Sequence, residues 1–316
     1  MQINEAVSQA VEYTWAGRLM GNRFEITVVA ENKDWADEKI NLAVEEIRRI
    51  ENVFTTFSDN SQTNKVNEQA GISAVKVSKE FFDLVQRSLR ISAITDGAFD
   101  ISYGSIDKKL WNFDRSMTSL PDEVTASSMV RLINYKNIII NSDQCSIMLK
   151  EKGMRIGFGG IGKGYAAEMA RALLKSEGVE SGIVNASGDL TTWGTQANGK
   201  PWTIGIANPA NAHLPFARLN ITNMAVATSG NYEKFITING KKYSHTINPR
   251  TGLPVTGIKS VTVISPNAEI ADALATPVTI MGTSAGLNLI NQLQHIECII
   301  IDDHDKIYTS KNIHLH

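Results

Sequence analysis

Apolar positions along this chain follow two periods, one near two residues and one near three and a half. From Phe24 to Val29 they alternate, which predicts a strand. From Lys33 to Phe54 the apolar residues Trp35, Ile40, Val44, Ile47, Ile50 and Phe54 fall on one helical face, with charges on the other. A second helix opens at Ser78, a good N-cap, and carries Phe82, Val85 and Leu89 towards Thr95. A third covers 162–177, with Ala166, Met169, Ala170, Leu173 and Leu174 at helical spacing and Gly178 as its stop. Two more helices are predicted at 268–281 and 284–293.

Strands fill much of the remainder. Residues 137–140 and 146–149 read as a hairpin, as do 217–221 with 224–228. Residues 235–238 and 243–247 form another, joined by the favoured turn pair Asn239-Gly240. Single strands are expected at 182–186, 202–207 and 258–264, and 296–301 with 306–308 close a sheet edge. Residues 1–14 read as a loose leader, 55–67 as a polar exposed loop, and 105–125 as irregular chain with Trp111 and Phe113 packed. Antiparallel runs of strands broken by helices predict an α+β fold with antiparallel or mixed sheets.

Composition narrows the class. The 316 residues are 42% hydrophobic and 20% charged, which describes an ordinary globular chain with enough length for one large domain or two smaller ones. The net charge of −2 gives no sign of general nucleic-acid affinity. No apolar run is long enough for a membrane-spanning helix, and no basic segment followed by an apolar core marks a signal peptide. Cys145 and Cys298 read as two buried free thiols.

The candidate chemistry centres on residues 157–164, Gly-Phe-Gly-Gly-Ile-Gly-Lys-Gly. Five glycines over eight residues let backbone amides approach a ligand, a helix N-terminus follows, and Lys163 adds positive charge, so the stretch suits a phosphate or diphosphate. Gly157-x-Gly159-x-x-Gly162 fits the dinucleotide fingerprint, but no clear βαβ start precedes it. The P-loop pattern fails, because Gly164 stands where a Ser or Thr belongs. A glycine turn that packs a helix closely on a sheet explains the pattern equally well. Asp272 and Thr276 share a helix face and offer oxygen ligands of the kind Mg²⁺ prefers; alternatively they are an exposed Asp and a Thr bonded to its own helix. Pro277 follows and should loosen or kink that helix. His245 is either a general base or a solvent-facing strand histidine. Phe57 is either a core anchor or a stacking surface, and Asp96 and Asp100 flank a glycine turn that could also bind a polar ligand.

In chain order, the segments Met20–Glu25, Thr95–Asp100, Gly159–Tyr165, Ala186–Asp189, Thr228–Gly230, Tyr243–Gly252 and Ala271–Thr276 resemble those of the FAD:protein FMN transferase (ApbE) family, over roughly residues 19–302. The resemblance implies an ApbE-like fold, with a leader at 1–18 and a single domain over 19–316. It implies Mg²⁺-dependent cleavage of FAD, with FMN passing to a Thr or Ser hydroxyl of an acceptor flavoprotein and AMP released. FAD hydrolysis to FMN and AMP, or FAD binding without turnover, are the alternatives. The resemblance places the metal on Asp272, Thr276 and the Gly160 carbonyl. It places FAD against Met20, Phe57, Ala98, Phe99, Asp100, Lys163 and Thr246, and makes His245 the base. Gly157 and Phe158 depart from the family's Asp-Leu, so the carboxylate that would touch FAD is missing. Many members carry a lipoprotein signal, which implies a periplasmic and possibly anchored protein; with no signal visible, a cytoplasmic location is the alternative.

Overall fold

The computed structural model describes residues 10–106, 119–208, 211–230, 235–238, 241–244 and 246–313. The elements in order are β1 (Val11–Leu19), β2 (Asn22–Ala30), α1 (Lys33–Phe54), α2 (Gln62–Glu68), β3 (Val75–Lys76), α3 (Lys79–Ile94), α4 (Glu123–Met129), β4 (Ile138–Asn141), β5 (Ser146–Leu149), α5 (Gly162–Ser176), β6 (Gly182–Ala186) and β7 (Asp189–Trp193). There follow β8 (Trp202–Asn208), β9 (Asn211–Ile221), β10 (Ala225–Gly230), β11 (Phe235–Ile238), β12 (Lys241–Ser244), β13 (Ile258–Ser265), α6 (Ala268–Met281), α7 (Thr283–Ile290), β14 (Glu297–Asp302) and β15 (Ile307–Thr309).

Eight strands form the main sheet, in the order β1-β2-β6-β7-β10-β13-β14-β15, and among the described residues every strand pairing in it is antiparallel. The fold is α+β. Helices α1, α5 and α6 cover the sheet, and the buried faces of α1 (Ile40, Val44, Ile47, Ile50, Phe54) and α5 (Ala166, Ala170, Leu174) belong to one continuous core. The caps follow the sequence: Ser78 accepts a hydrogen bond from Phe81 N, and Gly178 takes φ of 87° after α5. Helix α6 continues through Pro277 to Met281. Cys145 and Cys298 are free thiols, the first half-buried and the second buried.

Four expectations change. Residues 11–18 are not a leader but most of β1, whose register with β2 runs from Val11↔Ala30 to Leu19↔Asn22. Residues 217–221 and 224–228 do not pair with each other. Strand β9 pairs with β8 in a separate ribbon, while β10, with Ala225, Val226 and Ala227 buried, lies between β7 and β13. Asn223, at φ of 56°, turns the chain between the two sheets. Strand β7 has no signal in the sequence pattern, because Asp-Leu-Thr-Thr-Trp does not alternate, yet all five residues are buried in mid-sheet. Residues 62–68 form a helix, not an exposed loop, and its polar residues Thr63, Asn64 and Asn67 are buried because they bond to backbone: Thr63 Oγ1 donates to Phe54 O at 2.9 Å, and Asn64 Nδ2 donates to Thr56 O and Ser58 O at 3.0 Å each. Trp111 and Phe113 lie outside the described residues.

Candidate active site

The glycine segment is held like a strand without being one. Met154, Ile156, Phe158 and Ile161 are buried, and Gly159 between them is exposed. Asn67 clamps Ile156 from both sides, its Nδ2 donating to Ile156 O at 3.1 Å and its Oδ1 accepting from Ile156 N at 2.7 Å. Gly157 N donates to Ile101 O at 2.9 Å, and Phe158 packs edge-on against Phe54 and Phe81 with ring centroids 5.0 and 5.4 Å away. A Cβ added at Gly159 would meet nothing within 4 Å, and one at Gly160 would reach only the Phe99 ring, at 3.7 Å. This part of the loop therefore presents open backbone.

Gly164 is different. A Cβ there would sit 2.2 Å from Ala268 O and 2.7 Å from Asp272 Cβ, so this glycine exists to let α5 and α6 touch. The contact puts the first-turn amides of α5 against Asp272, with Gly164 N donating to Asp272 Oδ2 at 2.9 Å. Lys163 pairs with Asp189 at the start of β7. The positive helix end and the lysine thus face two carboxylates of the chain itself. Burial is the main cause that raises the Asp272 carboxyl, to about 7; the charge of Asp189 adds to it, and Lys163 and the α5 amides oppose it. Among the described residues, the buried carboxylates of Asp189 and Asp272 meet the Lys163 ammonium, an arrangement that suits a further cation. One turn along α6, Thr276 Oγ1 lies 3.4 Å from Ser229 Oγ of β10. An oxygen donor set of this kind fits a hard divalent ion.

The remaining predicted residues divide into groups. Met20, at φ of 50° in the β1–β2 turn, donates its amide to Glu51 Oε2 at 2.9 Å, and its Cε would lie 3.6 Å from a Cβ on Gly162. Phe57 is 98% exposed, so it is not a core anchor; the side chain of its neighbour Thr56 lies 3.5 Å from a Cβ built on Gly157. Ala98 is half-buried and Phe99 buried, in the turn that follows Asp96 and Gly97 at positive φ. The Asp100 carboxylate is spent on that turn: it accepts from Ser102 N at 2.8 Å, Ser102 Oγ at 2.6 Å and Tyr135 N at 2.7 Å, and burial holds its carboxyl above the usual range. Thr246 is buried and its carbonyl accepts from Val255 N at 2.9 Å. Its loop is tied to the Asp96 turn by the Arg250–Asp96 ion pair. His245 lies outside the described residues.

The same order of segments recurs in known proteins. The ApbE family model matches residues 20–300. The chain belongs to the ApbE family. A protein of Klebsiella pneumoniae named FAD:protein FMN transferase is 30% identical over 300 residues, covering 94% of this chain and 92% of its own. A Salmonella typhimurium protein of the same name is 28% identical, covering 87% and 80%. The crystal structure of the ApbE protein from Thermotoga maritima superposes with a TM-score of 0.85 at 27% identity, covering 95% of this chain and 97% of the other.

Several residues that shape the site were not read from the sequence. Asn67, Asp189 and Glu168 are buried polar groups in segments whose pattern suggests loop or helix surface. Only Asp189 carried a signal, as the end of the Ala186–Asp189 segment. The other two act through backbone partners distant in sequence, which no local pattern records.

Proposed function

We propose that the chain is an FAD:protein FMN transferase, as its named relatives are, and that it works with Mg²⁺. FAD is the donor, a Thr or Ser hydroxyl of an acceptor flavoprotein is the nucleophile, and AMP is the leaving product. The observation that carries this is the contact of the α5 N-terminus with buried Asp272, one turn from Thr276 and beside the Lys163–Asp189 pair. Asp272, Thr276 and the Gly160 carbonyl would hold the ion, which when bound would neutralise diphosphate charge. The open backbone at exposed Gly159 and half-buried Gly160 lets the diphosphate approach. Phe57 supplies an uncovered ring for stacking, and Met20, Ala98, Phe99 and Thr246 line the flavin side. Lys163 balances the carboxylates and orients the phosphates, and Asp100 acts through the turn that it caps. His245 takes the proton from the acceptor hydroxyl as its oxygen attacks the FMN phosphorus and the bond to AMP breaks. A periplasmic location belongs to the same proposal.

Product analysis tests it. With FAD and Mg²⁺ but no acceptor, the purified protein should leave FAD largely intact. Rapid release of FMN and AMP into solution would make it a FAD diphosphatase. Stable FAD binding with no product, even beside an acceptor, would make it a flavin carrier.

A further inference from the structure

Below the proposed metal site, α5, α6 and β7 are tied together a second time. Glu168, one turn after Gly164 on α5, is buried and accepts from Ala268 N at 3.0 Å, the first residue of α6. Asp272, one turn after Ala268 on α6, accepts in the opposite direction from Gly164 N. Each helix therefore satisfies an N-terminal amide of the other with a carboxylate that stands four residues after the amide it offers in return, Glu168 after Gly164 and Asp272 after Ala268. Gly164 is the point where the two backbones meet. The second carboxylate oxygen of Glu168 pairs with Arg171 at 2.6 Å, and Arg171 reaches Thr191 Oγ1 at 3.0 Å and Pro266 O at 3.4 Å. Thr191 stands two residues after Asp189 on β7. The elements that carry Lys163, Asp272 and Asp189 are thus fixed twice, once at the site and once by Glu168 and Arg171.

We propose that Glu168, supported by Arg171, is a positioning residue that sets Asp272 in register with the glycine segment and thereby sets the divalent-cation affinity of the site. The proposal rests on the reading that Asp272 is a metal ligand. Glu168 touches neither metal nor substrate; it fixes where α6 begins relative to α5. Removing a group that hydrogen-bonds a metal ligand directly typically lowers metal affinity by about 10–100-fold; Glu168 acts on Asp272 one helical turn away, through Ala268, so the low end of that range is expected.

Two readouts on the metal-free protein test it: titration with Mn²⁺ alone, followed by the loss of free-ion EPR signal, and hydrogen exchange at the Gly164 amide. Glu168→Ala should weaken Mn²⁺ binding about 10-fold or more and speed exchange at Gly164. Glu168→Gln keeps an acceptor for Ala268 N and should restore both to within about threefold of wild type. A role in stability alone predicts that both substitutions lower the melting temperature while Mn²⁺ affinity and Gly164 exchange stay unchanged, and that result overturns the proposal. If Glu168→Ala does not fold, Arg171→Ala is read in the same way, with wild-type values in both readouts again overturning it. Asp272→Ala separates the two claims. If it leaves Mn²⁺ binding intact, the metal reading fails, and with it the claim that Glu168 sets metal affinity, whatever the Gly164 amide does.

Discussion

Gly164→Ala perturbs the contact on which the site is built. The added Cβ would sit 2.2 Å from Ala268 O, where ordinary contact begins near 3.4 Å, so the helices must part by about 1.2 Å or the backbone must distort. The atom in the way is a main-chain oxygen, which cannot rotate aside. Overpacking of this kind costs about 1–3 kcal/mol. Parting the helices also stretches the 2.9 Å bond from Gly164 N to Asp272, a charge-assisted bond worth about 1.5–3 kcal/mol. Ala is the better helix former and returns about 1 kcal/mol. The balance is a loss of about 1.5–5 kcal/mol, read by denaturant unfolding of the metal-free protein. Gly159→Ala is the matched control: its Cβ meets nothing within 4 Å, so stability should stay within about 0.5 kcal/mol of wild type. Equal stability of Gly164→Ala and wild type would refute the claim that this glycine is required for helix contact. An equal loss in both variants would mean that loop flexibility matters instead.

Other substitutions probe the rest of the site. Asp272→Asn should stabilise the metal-free protein increasingly with pH: burial raises the Asp272 carboxyl to about 7, so its stabilising contribution is complete below about pH 4 and lost as pH rises through about 7. Denaturation at pH 5 and pH 8 checks this, and a variant advantage that does not grow with pH contradicts it. Lys163→Met leaves Asp189 and Asp272 without their ammonium, so stability should fall by about 3–5 kcal/mol and be partly recovered by added Mg²⁺; no recovery would count against a cation site there. Phe57→Ala should leave the melting temperature unchanged, because the ring is 98% exposed, while raising the KM for FAD several-fold; an unchanged KM removes the ring from the pocket. Gly157→Asp should fold, since a Cβ there meets only Thr56 at 3.5 Å, and should tighten FAD by restoring the family's carboxylate.

Much of the fold is legible in periodicity. Helices α1 and α3 carry long amphipathic stripes, and the stripe of α1 runs over the same residues, Lys33–Phe54, as the helix. Periodicity fails where burial is two-sided or polar. Strand β7 is central, so its threonines are buried without alternation, and Thr192 Oγ1 bonds to Met224 O at 2.9 Å. Helix α2 is short and rich in polar side chains whose partners are backbone atoms elsewhere. The sequence pattern groups the glycine segment with Asp272 and Thr276 and directs the α5 amides and Lys163 at a ligand; the fold brings Gly164 against Asp272, on the helix that also carries Thr276. Folding gives them first to Asp272 and Asp189, and a spacing rule cannot know which carboxylate will be brought across from another helix.

Covalent transfer to an acceptor tests the central claim most directly. The purified protein is incubated with FAD, Mg²⁺ and a candidate acceptor flavoprotein, the acceptor is run on a denaturing gel, and flavin fluorescence is read in its band while AMP is quantified in solution. The proposed activity predicts a fluorescent acceptor band with one AMP released per flavin attached, both absent with Asp272→Ala. A dark acceptor band across the candidate flavoproteins, with FAD either untouched or hydrolysed to free FMN and AMP, would contradict it.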